Sequence, residues 1–417
     1  MKQAKGHGAA GAGEKRQPDL GGKMDIDGKN VNILVTGGTS SGKTVAACCT
    51  FNHMTQEGGI SVQSDGREVK FSLLADGSRA ARIMDDFADT YIDMLEGKLP
   101  SGSTENKQYE LLFKRNQATI CNIFWMDYRG ALTKEDWEDP AYAGQIEEFK
   151  EMLAHSTLLI YIISGEIIRK YTALKKLSPD CIERKKEMTK VSKEIMQIRY
   201  IMEKSKEIRG EEDRTPVLFY ITKSDYIEYG NDQEKFSQLT ALLKENDLLW
   251  KDRKVICCHS TLGRALILNE NNKIESGFEP EGFEIPLMLA AGYAMSEDGK
   301  RWEEEEYAKL DAEIQIQRVH TDISNEEKGK LMGGAYRVFG PIMKRRQEQI
   351  RNLEREKEKY QNRIEELEKK KMRIESRQRM FAKEILDYIT GSAKNQCKYA
   401  VYLDADGEEK PLRCFFE

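Results

Sequence analysis

An α/β fold is predicted, a mainly parallel sheet with helices on both faces, carrying a charged helical insertion and a C-terminal coiled-coil helix. Three observations predict it. Short apolar runs alternate with helix-like stretches from Val31 to Cys258, and the first run leads straight into a glycine-rich loop, Gly37 to Thr44. Between Leu353 and Tyr388, six apolar residues recur seven apart. Apolar strands interleaved with helices need cover on both sheet faces, the usual condition of parallel strands.

The 417 residues allow two or three domains, and 39% apolar content is enough for a sizeable core. Charged residues reach 33%, yet 66 Lys and Arg against 71 Asp and Glu leave a net charge of only -5. That balance argues against a simple basic nucleic-acid binder. No run of about 18 apolar residues and no apolar leader occur, so no membrane span or secretory signal is expected and a cytoplasmic location is. The eight cysteines include Cys48-Cys49 and Cys257-Cys258 inside apolar runs, with no CxxC spacing. They read as small buried hydrophobes.

Residues 1–29, rich in Gly, Ala and Lys, read as a flexible tail, and 30–264 as the main domain. Val31–Val35, Gln108–Lys114, Thr119–Met126, Leu158–Ser164, Val217–Thr222 and Val255–Cys258 are its strands. Within it, 165–214 reads as a charged helical insertion with Met188, Val191, Ile195, Ile198 and Met202 on one face. Residues 265–340 extend the core, with Phe278–Pro286 an ordered loop before a helix. Residues 341–389 form the long helix, seamed by Leu353, Tyr360, Leu367, Ile374, Phe381 and Tyr388. The same stripe also suits a helix packed on its own domain, with the insertion as one surface for it; otherwise it serves self-association or a protein partner. Basic residues along it are interspersed with acids, as on a solvated surface. Residues 390–417 read as a β-hairpin tail, Lys398–Leu403 and Leu412–Phe416 around an Asp-Gly turn.

Gly37, Gly38, Thr39, Ser40, Ser41, Gly42, Lys43 and Thr44 fit G-x-x-x-x-G-K-[ST] between a strand and a helix. Glycines let the backbone wrap so that N–H groups face phosphate oxygens, and the helix adds the positive end of its dipole. Lys43 would reach the β- and γ-phosphates and the Thr44 hydroxyl would ligate Mg²⁺. A nucleoside triphosphate site is the expectation. A plain glycine-rich turn is the bland one.

Two further motifs follow. Ile123–Met126 ends in Asp127-Tyr128-Arg129-Gly130, and Val217–Ile221 ends in Thr222-Lys223-Ser224-Asp225. Together with the phosphate loop they resemble, in order and each after a strand, the Ras-like P-loop GTPases of the translation-factor-related class. Some prokaryotic GTPases proposed to act in conflict or defence systems are similar in layout. The resemblance covers Val31 to Gly263 and implies GTP and GDP as ligands with Mg²⁺. It implies that Asp127 holds the metal through water and that the Gly130 N–H contacts the γ-phosphate. Thr222, Lys223 and Asp225 would read guanine, because a carboxylate accepts from N1–H and the 2-amino group, which adenine lacks. Ser260 and Thr261, in His259-Ser-Thr-Leu262, loosely resemble the loop closing over the base. In this family a switch Thr precedes the strand paired antiparallel with the one ending in D-x-x-G, which makes Thr104 the candidate for γ-phosphate and Mg²⁺ contact; Ser101 and Ser103 compete with it.

Ala131 and Leu132 stand where such proteins often carry a Gln that orients the attacking water, so slow hydrolysis is expected. Arg129, an Arg near the γ-phosphate, or Gln145 downstream are candidate substitutes. The leading expectation is therefore a slow GTPase switch. The alternatives are a nucleotide-binding scaffold without turnover and an ATP-using P-loop enzyme.

Overall fold

A computed structural model describes residues 29–38, 41–55, 59–100, 106–128, 137, 139–210, 212–227, 232–249, 253–263, 266–268, 274–296, 312–313, 315, 340–391 and 400–416. The elements run β1 (Lys29–Gly37), α1 (Lys43–Thr55), β2 (Ile60–Ser64), β3 (Arg67–Ala75), α2 (Ala80–Leu95), β4 (Lys107–Arg115) and β5 (Ala118–Asp127). Then come α3 (Ala143–His155), β6 (Leu158–Ser164), α4 (Gly165–Lys175), α5 (Ile182–Arg209), β7 (Val217–Thr222), α6 (Asp232–Glu245) and β8 (Val255–His259). A small pair, β9 (Ile267–Leu268) and β10 (Ile274–Ser276), precedes α7 (285–296), α8 (Gly340–Gly391), β11 (Ala400–Leu403), β12 (Glu409–Lys410) and α9 (Arg413–Phe416).

Ten strands make one sheet, ordered β12-β11-β8-β7-β6-β1-β5-β4-β3-β2. Its heart is parallel: β1 lies between β5 and β6, and β7 and β8 continue outward. These strands are apolar and β6, β7 and β8 are buried at every position, as two-sided cover requires. The sheet as a whole is mixed rather than mainly parallel, because antiparallel strands add to both edges. Turn chemistry explains two of these pairs, β2–β3 and β4–β5. Asn116 and Gln117 between β4 and β5, and Asp65 and Gly66 between β2 and β3, all have positive φ, and two-residue turns of that kind close antiparallel hairpins.

Alternate residues of each central strand face opposite layers. Val31, Ile33, Val35, Leu158, Ile160 and Ile162 pack with α1, α2, α7 and the end of α8. Leu34, Leu159, Tyr161, Ile163 and Phe219 pack with α3, α4, α5 and α6. The insertion forms α4 and α5; of its expected stripe, Val191, Ile195, Ile198 and Met202 are buried and Met188 is half-buried against the same cluster.

Helix α8 is continuous over 52 residues. Its last turns lie on the domain, on the face opposite α5, so it does not pack against the insertion there. Phe381 sits edge-on to Phe71 and Phe113, and Arg115 clasps Glu384 through two hydrogen bonds of 2.7 and 2.5 Å. The C-terminal segment also departs from the expected hairpin. β11 and β12 pair around Asp404–Gly407, but Arg413–Phe416 turns helical after Pro411, burying Phe415 against Tyr293. β11 joins the main sheet on β8, so this part is an edge of the domain rather than a tail. Residues 1–28 of the expected flexible tail lie outside the described residues, and Lys29 already opens β1. Among the described residues no helix is long and apolar enough to cross a membrane.

Candidate functional site

The parallel register brings the carboxyl ends of β1, β5, β6, β7 and β8 to one edge, where Val35 neighbours Asp127, Gly37 neighbours Ile162, and Ser164 neighbours Thr222. Crevices at such edges are where α/β sheets bind ligands. Gly37 is forced there by space: a Cβ would meet the Ile162 carbonyl oxygen at 2.7 Å. Gly42 is forced by conformation, with φ +91°. Helix α1 then starts at Lys43, its Ala46 N–H bonded to the Gly42 carbonyl, so the positive end of its dipole points at the loop.

The Lys43 ammonium is buried and donates to the carbonyls of Gly37 and Gly38 at 3.1 and 3.0 Å. Burial pulls its pKa below the ordinary lysine range, against the opposing pull of Asp127 and Glu194. The Thr44 hydroxyl donates to Asp127 Oδ2 at 3.0 Å. Asp127 is fully buried, and burial raises its carboxyl despite Lys43 and Thr44 nearby. Its Oδ1 has no hydrogen-bond partner among the described residues. A hydroxyl and a carboxylate with one free oxygen are hard donors of the kind Mg²⁺ takes, and the pair fits that ion. Among the described residues no three His, Cys, Asp or Glu are placed to hold a metal ion, so waters and substrate oxygens would complete the shell.

On the other flank the Thr222 hydroxyl donates to the Ser41 carbonyl, tying the end of β7 to the glycine-rich loop. Lys223 takes a left-handed conformation at φ +49°, and the next N–H, of Ser224, bonds to the Ser260 carbonyl. Asp225 accepts from the Thr261 hydroxyl at 3.3 Å, and burial raises its carboxyl above the usual range. Thr261 Oγ1 also accepts from Gly263 N–H. The two loops after β7 and β8 therefore hold one carboxylate at this edge of the sheet. Close packing supports them: a Cβ on Gly165 would meet the Lys223 carbonyl oxygen at 2.3 Å.

Of the expected site residues, Gly37, Gly38, Ser41, Gly42, Lys43, Thr44, Asp127, Thr222, Lys223, Asp225, Ser260 and Thr261 share this edge. Thr39, Ser40, Thr104, Ser101, Ser103, Arg129 and Gly130 lie outside the described residues. Gln145 sits in α3, where its backbone carbonyl accepts from Asn106, just after the expected switch loop. One group was not anticipated. Glu194 of α5 stands against Gly38, and only its place beside the buried Ile195 hinted that it faces inward. No protein-family model matches the chain, and no curated protein matches it.

Proposed function

We propose that the chain is a GTP-binding molecular switch that hydrolyses GTP to GDP and phosphate with Mg²⁺, slowly, and signals to a protein partner through its helical appendages. The observation that carries this reading is the convergence of three separated motifs. Thr44 bonds to Asp127 across 83 residues of sequence, and Thr222 bonds to Ser41 across 181. Such a constellation has a phosphate end, at Lys43 and the start of α1, and a base end, at Asp225.

At the phosphate end, loop N–H groups and Lys43 would hold the β- and γ-phosphates, exchanging the present Lys43 contacts with Gly37 and Gly38 for phosphate oxygens. Mg²⁺ held by Thr44 and, through water, Asp127 would neutralise charge between those phosphates. At the base end Asp225 selects guanine by accepting two hydrogen bonds. An adenine there leaves the carboxylate unpaired, which costs about 1–3 kcal/mol or more. Catalytic assignments to Thr104, Gly130 and Arg129 remain part of this proposal.

A second reading, a nucleotide-binding scaffold, is favoured by Ala131 and Leu132 where a water-orienting Gln would stand. Phosphate release from GTP with the protein in excess, under single-turnover conditions, separates the two. Slow release that Lys43→Ala abolishes is expected. Equal release from both proteins contradicts the assignment, and bound GTP that is never cleaved selects the scaffold.

A further inference from the structure

Helix α5 arrives from the insertion, yet it brings a carboxylate to the phosphate loop. A Cβ built on Gly38 would lie 3.1 Å from Glu194 Oε2 and 3.4 Å from its Cδ, so no side chain stands between the carboxylate and the loop backbone. Glu194 is close enough to Lys43 for each to feel the other's charge, and it shares its surroundings with Glu166, Lys170 and Lys223. Burial raises its pKa, with Glu166 adding to the effect. The helix cannot simply drift away. At its far end Arg209 donates to the carbonyls of Leu153, Ala154 and Ser156, and Asp213 pairs with Arg209 and Arg253 at 2.9 and 2.7 Å.

We propose that Glu194 sets the preference between nucleoside di- and triphosphates at the Gly37–Thr44 loop. This rests on reading that loop as a nucleotide phosphate site. The carboxylate competes with the phosphates for Lys43 and repels them. The penalty grows with the charge added by a third phosphate, so Glu194 weakens the triphosphate more than the diphosphate. Two turns along, Tyr200 stacks edge-on against Trp137 at 5.7 Å.

The test is equilibrium binding of GDP and of a non-hydrolysable GTP analogue, in Mg²⁺, to the full chain and to Glu194→Gln and Glu194→Lys. The glutamine variant keeps the side chain's shape, and circular dichroism checks its fold. The proposal expects Glu194→Gln to tighten the analogue about tenfold while GDP changes less than about twofold, with Glu194→Lys going further in the same direction. An unchanged ratio of the two affinities overturns it. So does a variant that loses hydrolysis at an unchanged ratio, which would make Glu194 catalytic instead. If the wild type binds ADP and an ATP analogue as well as the guanine nucleotides, the guanine reading fails, and the adenine pair gives the same ratio test. If it binds no di- or triphosphate, the site and this proposal fall together.

Discussion

Single glycines decide whether the two halves of the site can approach each other. Gly165 lets α4 leave β6 against the Lys223 backbone, which would stand 2.3 Å from any Cβ there. Gly165→Ala is expected to cost about 1–3 kcal/mol, since backbone on both sides must shift, and to weaken guanine nucleotide more than it weakens inorganic phosphate. Urea midpoints and paired binding titrations read both effects. Gly144, in the first turn of α3, is the control: a Cβ there meets nothing within 4 Å, so Gly144→Ala is expected to be neutral or stabilising by up to ~1 kcal/mol. Comparable losses at the two positions would show that close packing at Gly165 is unimportant. The residues visible in sequence were those with rigid local grammar. Glycines, Lys43, Thr44, the strand-end Asp127 and Asp225 in the turn after β7 follow a spacing that backbone geometry imposes. Glu194 follows none: its neighbour Ile195 marks an inward-facing part of the helix, but its partner Gly38 is remote in the chain and nothing local marks the loop it meets.

Elements were legible to the extent that their burial was two-sided. Wholly apolar runs such as Leu158–Ser164 and Val217–Thr222 appear in the structure with those bounds. The hairpin β2–β3 escaped notice because one face of each strand is polar, and its one strong signal was the Asp65-Gly66 turn. Helix α8 was recognised by its heptads, but its docking depends on partners spread over the chain. One of them is a polar clamp joining α1, the turn before α7 and α8. Glu284 is buried and accepts from Tyr388 at 2.5 Å and meets His53 Nδ1 at 3.1 Å. The hydrogen bond to Glu284 raises the His53 pKa above 6.5. Burial works against the Glu284 carboxyl, yet His53 and Tyr388 hold it below 4.5. The raised histidine contributes stability fully below its unfolded pKa and loses it as pH rises through the folded value. The depressed glutamate contributes above its unfolded pKa and loses it as pH falls through its folded one. The clamp is therefore strongest from about pH 4.5 to 6.5. His53→Ala should lower the Tm more at pH 5.5 than at pH 8.5, and equal losses at both would contradict a charged clamp. The apolar part of the same docking is larger. Phe381→Ala, which empties the space between Phe71 and Phe113, should cost about 3–5 kcal/mol by denaturant unfolding, and a loss under about 1 kcal/mol would mean that α8 is not held there.

At the scale of the molecule, the surplus of charge belongs to two helical additions set on opposite faces of one sheet. Helix α5 reaches the phosphate end of the crevice, whereas the last turns of α8 brace the β2–β4 edge. Of these, α5 is the one that sets a carboxylate, Glu194, against the proposed phosphate loop. The whole account depends on the crevice being a guanine-nucleotide site, with the three motifs acting on one ligand. Competition between GTP and ATP for the purified chain in Mg²⁺, repeated with Asp225→Asn, tests that most directly. The account predicts saturable Mg²⁺-dependent GTP binding that ATP displaces at least about 100-fold less well, a preference that Asp225→Asn removes. Equal competition by ATP, or an undiminished guanine preference in the variant, would contradict it.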